Sequence, residues 1–365
     1  MSTASMTSSS VDEARTARIK AAIRAESERV RARFGFLNHQ DAIGASIMAL
    51  SVLGMIASGW AYIAGVVPWW VCVPVSAIFA SFIHELEHDL IHTLYFRKHP
   101  RAYHLMMALC WITRPSTVSP WTRRRLHLHH HKFSGTESDL EERAITNGER
   151  WGLRRLLMTG DHMLAVILRR RMMHDTVKAF IKAQQPKSRE EVTMLIREQR
   201  LGFMPLSFLH YAIWYLFLGY HALAFGFAVA GHPFEALTFM HAIDTAVVVW
   251  LAPNVLRVFC LHFVSSNMHY YGDVESGNIV QQCQVLNPWW LWPAQLFCFN
   301  FGATHAIHHF VVSQPFYVRQ LTARAAHQVM RDNGVRFNDV GALRRANRRG
   351  AAPQRDRNGL RATTA

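Results

Sequence analysis

Three clusters of histidine in this sequence have the spacing at which side chains share one face of an α-helix. Their members are His84 and His88 in H-E-L-E-H, His127, His130 and His131 in H-L-H-H-H, and His305, His308 and His309 in H-A-I-H-H. Residues three and four apart lie on the same helical face, so each cluster presents its imidazoles in one direction. Each cluster also adjoins a long apolar stretch. The pattern predicts one metal site built by distant parts of the chain.

His269, in S-S-N-M-H-Y-Y-G, is a further candidate and brings the set to nine histidines. A single zinc ion uses about four ligands, whereas nine imidazoles suit two metal ions with about four to six ligands each. Imidazole binds iron, copper and zinc alike. Two redox-active metals at a membrane face suit the activation of dioxygen against an apolar chain.

Two other functions are compatible with parts of this pattern. H-E-L-E-H matches H-E-x-x-H, the helix of zinc metalloproteases, in which Glu85 is the general base; this interpretation leaves most of the nine histidines unexplained. A non-enzymatic metal carrier or transporter is the second alternative. It requires polar residues or histidines deep within membrane spans, whereas these clusters lie at or beyond the points where the predicted helices leave the bilayer.

Three more histidines lie close to the clusters in the sequence. His92 and His262 continue the helical phase of His88 and His269, and we interpret them as residues that support the ligands. His129 lies between two ligand candidates at the wrong helical phase and is expected to face away from the metal site.

Two long windows, residues 34–96 and 201–256, contain no lysine or arginine. Each is longer than the roughly 20 apolar residues that cross a bilayer once, so each predicts a pair of membrane helices. The predicted helices cover about residues 42–65, 71–92, 203–231 and 237–269. Pro253 predicts a kink in the last of them.

The chain has 365 residues with 40 Lys and Arg and a net charge of +15, and these basic residues lie outside the two apolar windows. Basic residues that flank apolar hairpins indicate a positive-inside topology. We therefore expect a multi-pass integral membrane protein whose termini and metal site are all cytosolic. The same distribution argues against nucleic-acid binding as the explanation of the charge.

The three histidine clusters, spread over four predicted membrane helices, resemble the integral-membrane fatty acid desaturase and hydroxylase family over residues 38–317. The resemblance implies a helical membrane fold whose second and fourth helices project into the cytosol. It also implies a dinuclear site with two iron ions, dioxygen as the oxidant and a fatty-chain substrate in a lipid membrane. His269 resembles the lone late histidine that family members use between the second and third clusters.

Two positions depart from the family's pattern. Many members carry an Asn four residues before the late histidine, where this chain has Ser265; Asn267 or Asn300 is a candidate to replace it in supporting the site. Many members carry Glu inside the third cluster, where this chain has Ile307. These departures leave the reaction less determined than the site.

The family shares one opening step, the abstraction of hydrogen from an unactivated C–H bond. A second abstraction gives an alkene, and desaturation is therefore the leading expectation. The alternatives are a decarboxylase that converts medium-chain fatty acids to terminal alkenes, and a fatty-chain or alkane hydroxylase. The stretches N-H-Q-D at residues 38–41 and M-T-G-D-H-M-L at residues 158–164 resemble the decarboxylase branch of the family.

The sequence contains no cytochrome b5-like H-P-G-G and no cysteine set for an iron–sulfur cluster. Electrons are therefore expected from a separate cytosolic donor of the ferredoxin or rubredoxin type with its reductase, and a basic face suits an acidic donor. Arg123, Arg124 and Arg125, directly before the second cluster, are candidates for binding a fatty acid carboxylate, an acyl-carrier phosphate, that donor or membrane headgroups.

The predicted fold is all-α and integral to the membrane. Four transmembrane helices in two hairpins carry a cytosolic helical cap that holds a dinuclear metal site. The predicted domains are a disordered N-terminus (residues 1–9), a cytosolic amphipathic basic helix (10–37), a membrane desaturase-like catalytic domain (38–317) and a basic, partly disordered cytosolic tail (318–365).

Overall fold

A computed structural model describes residues 8–235 and 237–350, and this part of the chain is built from helices. Two isolated bridges, His269 with Cys283 and Val285 with Phe337, are the β-type pairings among these residues. The α-helices are α1 (Ser8–Arg33), α2 (Gln40–Ile63), α3 (Trp69–Ile91), α4 (Pro100–Thr113), α5 (Pro120–Phe133), α6 (Leu140–Ile145), α7 (Leu153–Gly160), α8 (His162–Leu168), α9 (Arg170–Ala183), α10 (Arg189–Leu201), α11 (Leu206–Val229), α12 (Thr238–Ala246), α13 (Ala252–Met268), α14 (Ile279–Gln282), α15 (Trp292–Leu296), α16 (Phe301–Phe310) and α17 (Phe316–Asp332).

Four segments within the described residues are long and apolar enough to cross a membrane. They are α2, α3, the segment that ends with α11, and the run from α12 to α13. This confirms the prediction of an all-α chain with four apolar helices. The helix ends lie close to the predicted ones, because the apolar windows are bounded by charged residues and by Pro68.

The last apolar segment does not break at Pro253. Instead, a π-helical turn at Val247–Leu251 comes directly before α13, and Pro253 lies in the first turn of that helix. A proline lacks a backbone donor and its ring collides with the carbonyl four residues earlier. The wider π turn accommodates this mismatch, so the segment continues to Met268.

The segment predicted as a tail from residue 318 contains a packed helix. Ala326 and Met330 of α17 belong to the same buried core as Ile19 and Ile23 of α1, and α17 packs along α1 and against α16. The apolar stripe on α17 explains this docking, which a reading of the basic residues alone overlooks. Residues 1–7 and 351–365 lie outside the described residues, whereas Ser8 and Ser9, which were also predicted to be disordered, begin α1.

Four elements converge at the histidine clusters. The end of α3 is fully buried from Ile83 to Ile91, and every residue of α16 is buried. Helix α5 carries the second cluster, and α13 ends directly before His269. Helices α5 to α10 lie between α3 and α11 in the sequence and include a small core around Phe180.

Helix α16 is held in place by close backbone contact at Gly302. The backbone amide of Leu286 donates to the carbonyl of Gly302 over 2.8 Å, and the Gly302 amide donates to Gln295 Oε1 over 3.0 Å. A methyl group at Gly302 would overlap the Leu286 carbonyl and the Gln295 side chain. Glycine is therefore required one helical turn before His305.

We expect Gly302→Ala to lower the stability of the protein by about 1–3 kcal/mol, because the methyl group forces α16 away from the Leu286 backbone. The measurement is the apparent unfolding temperature of detergent-solubilised protein by size-exclusion chromatography. Gly219→Ala in α11 is the matched control, since a Cβ there meets nothing within 4 Å. Equal unfolding temperatures for the two variants would contradict this view of α16.

Candidate metal centre

Eight imidazoles collect in two groups, and within each group the potential ligand nitrogens all lie within 4.8 Å of one another. The first group contains His88, His92, His127 and His308, and the second contains His130, His269, His305 and His309. All are buried except His92, which is partly buried. Such packing of titratable groups away from water is costly unless a ligand binds them.

Each of the two central helices contributes to both groups. On α5, His127 belongs to the first group and His130 to the second. On α16, His308 belongs to the first group, whereas His305 and His309 belong to the second. The two groups are therefore neighbours, since residues three and four apart on one helix point to nearly the same side.

In the first group the Nε2 atoms face one another. His308 Nε2 lies 3.0 Å from His92 Nε2 and 3.0 Å from His131 Nε2. His131 Nε2 lies 3.1 Å from His127 Nε2. The ring of His131 is also 4.8 Å from the rings of both His308 and His309, centre to centre. His131 therefore lies at the boundary of the two groups.

The second group is centred on His309. Its Nε2 lies 3.2 Å from His305 Nε2, 3.4 Å from His269 Nε2 and 3.4 Å from His130 Nε2. Both groups thus present the same ring atom of every measured histidine to a common centre.

The other ring nitrogen of several histidines faces an oxygen acceptor. The Nδ1 contacts are His127 to Glu141 Oε2 at 2.8 Å, His130 to Asp139 Oδ2 at 2.9 Å, His269 to the Ser265 carbonyl at 3.0 Å and to Glu142 Oε1 at 3.3 Å, and His309 to Gln282 Oε1 at 3.4 Å. An acceptor at Nδ1 assigns the proton to that nitrogen and leaves the lone pair on Nε2. These rings are therefore oriented as metal ligands are.

The spacing of the Nε2 atoms matches a bound metal ion. Nε2 atoms that face one another at 3.0–3.4 Å repel when both carry lone pairs, unless a proton or a cation lies between them. Imidazole binds metals at about 2.1 Å, which places two ligand nitrogens roughly 3.0 Å apart at a right angle and roughly 3.4 Å apart at the tetrahedral angle. The residues present thus fit one ion in each group.

Burial favours the neutral, metal-binding form of these histidines. It lowers the pKa of His305, His308 and His309 well below the usual range, and that of His92 to about 2. Burial also lowers the pKa of His130, but the neighbouring carboxylates, of which Asp139 has the largest effect, raise this pKa to about 9. A metal bound in the second group therefore displaces a proton from His130.

The structure places His84 outside both groups and His92 inside the first, whereas the sequence predicts the opposite roles. His84 Nδ1 accepts hydrogen bonds from Arg114 Nη1 at 3.2 Å and Arg123 Nη1 at 3.5 Å. Helical spacing alone places His84, His88 and His92 on one face. Because α3 ends at Ile91, its last turn, from His88 to His92, is the one that meets α5 and α16.

The three consecutive arginines have different environments. Arg123 Nη1 contacts Glu87 at 2.8 Å, and Arg123 lines the cavity described below. Arg124 donates to the Ile91 carbonyl and to Thr93 Oγ1. Arg125 pairs with Glu198 at 3.1 Å. Of the three, Arg123 alone lines that cavity.

The residues predicted to support the ligands also have different environments. Ser265 Oγ lies 3.4 Å from His269 Nδ1 and donates to Glu142 Oε1 over 2.9 Å, so it contacts the second group. The Asn267 carbonyl accepts from Gln284. Asn300 begins α16 in a left-handed conformation, with φ 56°, and donates to Gln320. His262 lines the cavity.

Sequence reasoning missed the acidic residues that hold the histidine rings. Asp139, Glu141 and Glu142 lie in S-D-L-E-E, shortly after the second cluster. Asp139 is the N-cap of α6, accepting from the Glu142 amide. The signal was present, since three carboxylates close behind a histidine cluster are typical partners for Nδ1.

A cavity of about 500 Å³ reaches the histidine groups. His88, His127, His130 and His305 form part of its buried inner end, together with Arg257. Its walls are mainly apolar, with Val118, Leu126, Leu140, Ile145, Leu261 and Phe301 among them. Its exposed rim carries Arg170, His174, Lys178 and Arg200. An aliphatic chain suits such walls.

His129 lies outside both groups. Its Nε2 contacts Ser138 Oγ at 3.1 Å, its Nδ1 accepts from Gln184 Nε2 over 2.8 Å, and its ring packs on Phe133 and Phe180. A buried histidine with both nitrogens occupied by protein partners has no lone pair left for a metal.

The chain was also compared with models of protein families. The family model described as fatty acid desaturase matches residues 64–341, a range that contains both histidine groups and the cavity. A comparison with curated proteins finds no match for this chain.

We expect His92→Ala to lose about one metal ion per chain, because it removes a ligand from the first group, and His84→Ala to retain the full metal content. The measurement is elemental analysis of purified variants. His129→Ala controls for the loss of a buried imidazole and should also retain its metal. Equal metal loss from His84→Ala and His92→Ala would contradict this assignment and indicate that His84 is a ligand.

Proposed function

The chain belongs to the fatty acid desaturase family, and we propose that it is an oxygen-dependent diiron enzyme that desaturates fatty acyl chains. Family membership makes it an oxidoreductase of lipids, and the four apolar helices make it an integral membrane protein. One observation carries the proposal: two adjacent groups of imidazole Nε2 atoms lie at the inner end of an apolar cavity.

In this proposal each group holds one iron ion. The ligands of the first ion are His88, His92, His127 and His308, and those of the second are His130, His269, His305 and His309. His131, at the boundary, is available to either ion. When bound, the two irons supply the reduction of dioxygen and the oxidation of an unactivated C–H bond.

The chain's own residues position the substrate and keep water away. The apolar walls hold an aliphatic chain so that one of its carbons stays near the histidine groups. This positioning lowers the entropy cost of bringing the reacting atoms together. The same walls exclude water from the reacting atoms. Asp139, Glu141 and Glu142 fix the ring orientation of the ligands through Nδ1, as partners of metal-bound histidines do.

The proposal places both termini and the metal centre on the cytosolic side and draws electrons from a separate donor. The absence of Lys and Arg from residues 34–96 and 201–256 supports this topology. The exposed basic residues at the cavity rim, Arg170, Lys178 and Arg200, suit an acidic donor of the ferredoxin or rubredoxin type.

A second candidate reaction is the decarboxylation of a medium-chain fatty acid to a terminal alkene. The observation that favours it is the buried guanidinium of Arg257, which lines the same cavity as the histidines and has no ion-pair partner among the described residues. A carboxylate at that position brings the first carbons of the chain to the metal centre. Desaturation remains the first candidate because it is the reaction that names the family.

We expect carefully purified protein to contain about two iron ions per chain, because each imidazole group fits one ion. Elemental analysis with a protein assay measures the ratio. One stoichiometric zinc ion, together with hydrolysis of a peptide substrate, would contradict the proposal and favour the metalloprotease.

We expect metal-replete, reduced enzyme to convert fatty acids to products with all their carbons and two fewer hydrogens. Gas chromatography of the products from defined fatty acids distinguishes desaturation from decarboxylation and hydroxylation. Decarboxylation gives a volatile alkene one carbon shorter, and hydroxylation gives a product that carries labelled oxygen from dioxygen. Free acid, carrier-bound acid and lipid are offered separately, and failure to transform any of them would contradict a fatty-chain substrate.

A further inference from the structure

Arg257 of α13 is a buried cation that has no acidic partner among the described residues. Its side chain is fully buried at the inner end of the cavity. Its Nε lies 3.5 Å from Asn254 Oδ1, and among the described residues its two terminal nitrogens have no hydrogen-bond partner. A guanidinium keeps its charge in a protein, and a buried charge without a partner is strongly unfavourable.

The neighbouring charges do not neutralise Arg257. Arg114 and Arg123 both pair with Glu87, and Arg123 also lies 3.4 Å from Glu141. Glu87 is therefore already shared by two arginines, and Glu141 contacts Arg123 and His127. Both arginines are close enough to Arg257 to repel it electrostatically. Among the described residues, Arg257 thus remains the arginine at this end of the cavity without a carboxylate partner.

His84 supplies a second unused donor at the same end of the cavity. Its Nδ1 accepts from Arg114 Nη1 at 3.2 Å, and a guanidinium only donates. The proton of the neutral ring is therefore on Nε2. That nitrogen is buried and, within the part of the chain that the structure describes, has no acceptor. The guanidinium of Arg257 and the Nε2–H of His84 are thus both buried donors that one acceptor could bind.

We propose that Arg257 and His84 bind the carboxylate of a free fatty acid at the inner end of the cavity, with the hydrocarbon chain extending along the apolar walls toward the rim. This inference rests on the proposed function. A carboxylate matches the planar guanidinium and removes the unpaired charge. Because His88 and His305 line the same end, the carbons next to the carboxylate lie at the metal centre.

In the opposite orientation of the fatty acid, the carboxylate binds at the basic rim of the cavity. There Arg170, Lys178 and Arg200 are exposed, so water already solvates their charges and pairing adds little. An acyl thioester also lacks the negative charge that Arg257 requires. The unpaired buried cation therefore selects a free acid over a carrier-bound chain. Oxidation of carbons close to the carboxylate follows from this orientation.

The test is equilibrium binding to the purified full-length protein in detergent, without reductant, so that no turnover occurs. The probes are radiolabelled dodecanoic acid and 1-dodecanol, which share a chain and differ in charge. We expect Arg257→Met to weaken dodecanoate binding at least about tenfold, as the loss of a buried charged partner does, and to leave dodecanol binding within about twofold. Arg200→Met, at the exposed rim, is the matched control and should bind both probes like the wild type.

Equal weakening of both probes in Arg257→Met, or a larger loss of dodecanoate binding in Arg200→Met, would overturn the proposed orientation. Arg257→Lys keeps a cation and should retain part of the preference for the acid. If Arg257→Met does not fold, as judged by size-exclusion chromatography, the same comparison is made with His84→Phe. Wild-type protein that binds neither probe would instead contradict the proposed function itself, since both carry a fatty chain.

Discussion

The repulsion among buried imidazole nitrogens is the constraint on which the rest of this structure depends. Two groups of histidines direct Nε2 atoms toward common centres at separations of 3.0–3.4 Å, in surroundings that exclude water. A proton or a cation between such atoms relieves the repulsion, and in the proposed function two metal ions do so. The acidic residues of the S-D-L-E-E segment act on the opposite ring nitrogen and prevent the rings from turning away. The histidines are thus already positioned for metal binding, and this positioning lowers the stability of the metal-free protein.

The scaffold follows from the need to bring four distant segments to one place. Helices α5 and α16 serve both groups at once, so a shift of either helix alters both centres. Close backbone contact at Gly302 fixes α16, and the buried end of α3 fixes the first group. The apolar helices hold this assembly at a membrane, and the cavity leads from an exposed basic rim to a buried inner end that contains Arg257.

The sequence predicted an all-α chain with four apolar helices and a clustering of histidines, because apolar length and helical spacing are local signals. The choice between His84 and His92 is not local. Both share a face with His88, and the last turn of α3 meets its partners only through tertiary packing. The π turn before Pro253 and the docking of α17 also depend on neighbouring helices. The carboxylates beside His127, His130 and His269 were visible in S-D-L-E-E but lacked a helical period to connect them with the histidines.

X-ray absorption at the iron edge of the loaded protein tests the central claim most directly, since it reports the ligand atoms and any neighbouring metal together. Imidazole nitrogens as the ligands of two adjacent ions predict a nitrogen-dominated shell at about 2.1 Å, the scattering pattern of imidazole rings and a nearby second iron. A shell dominated by sulfur at about 2.3 Å, or iron without imidazole scattering, would contradict it.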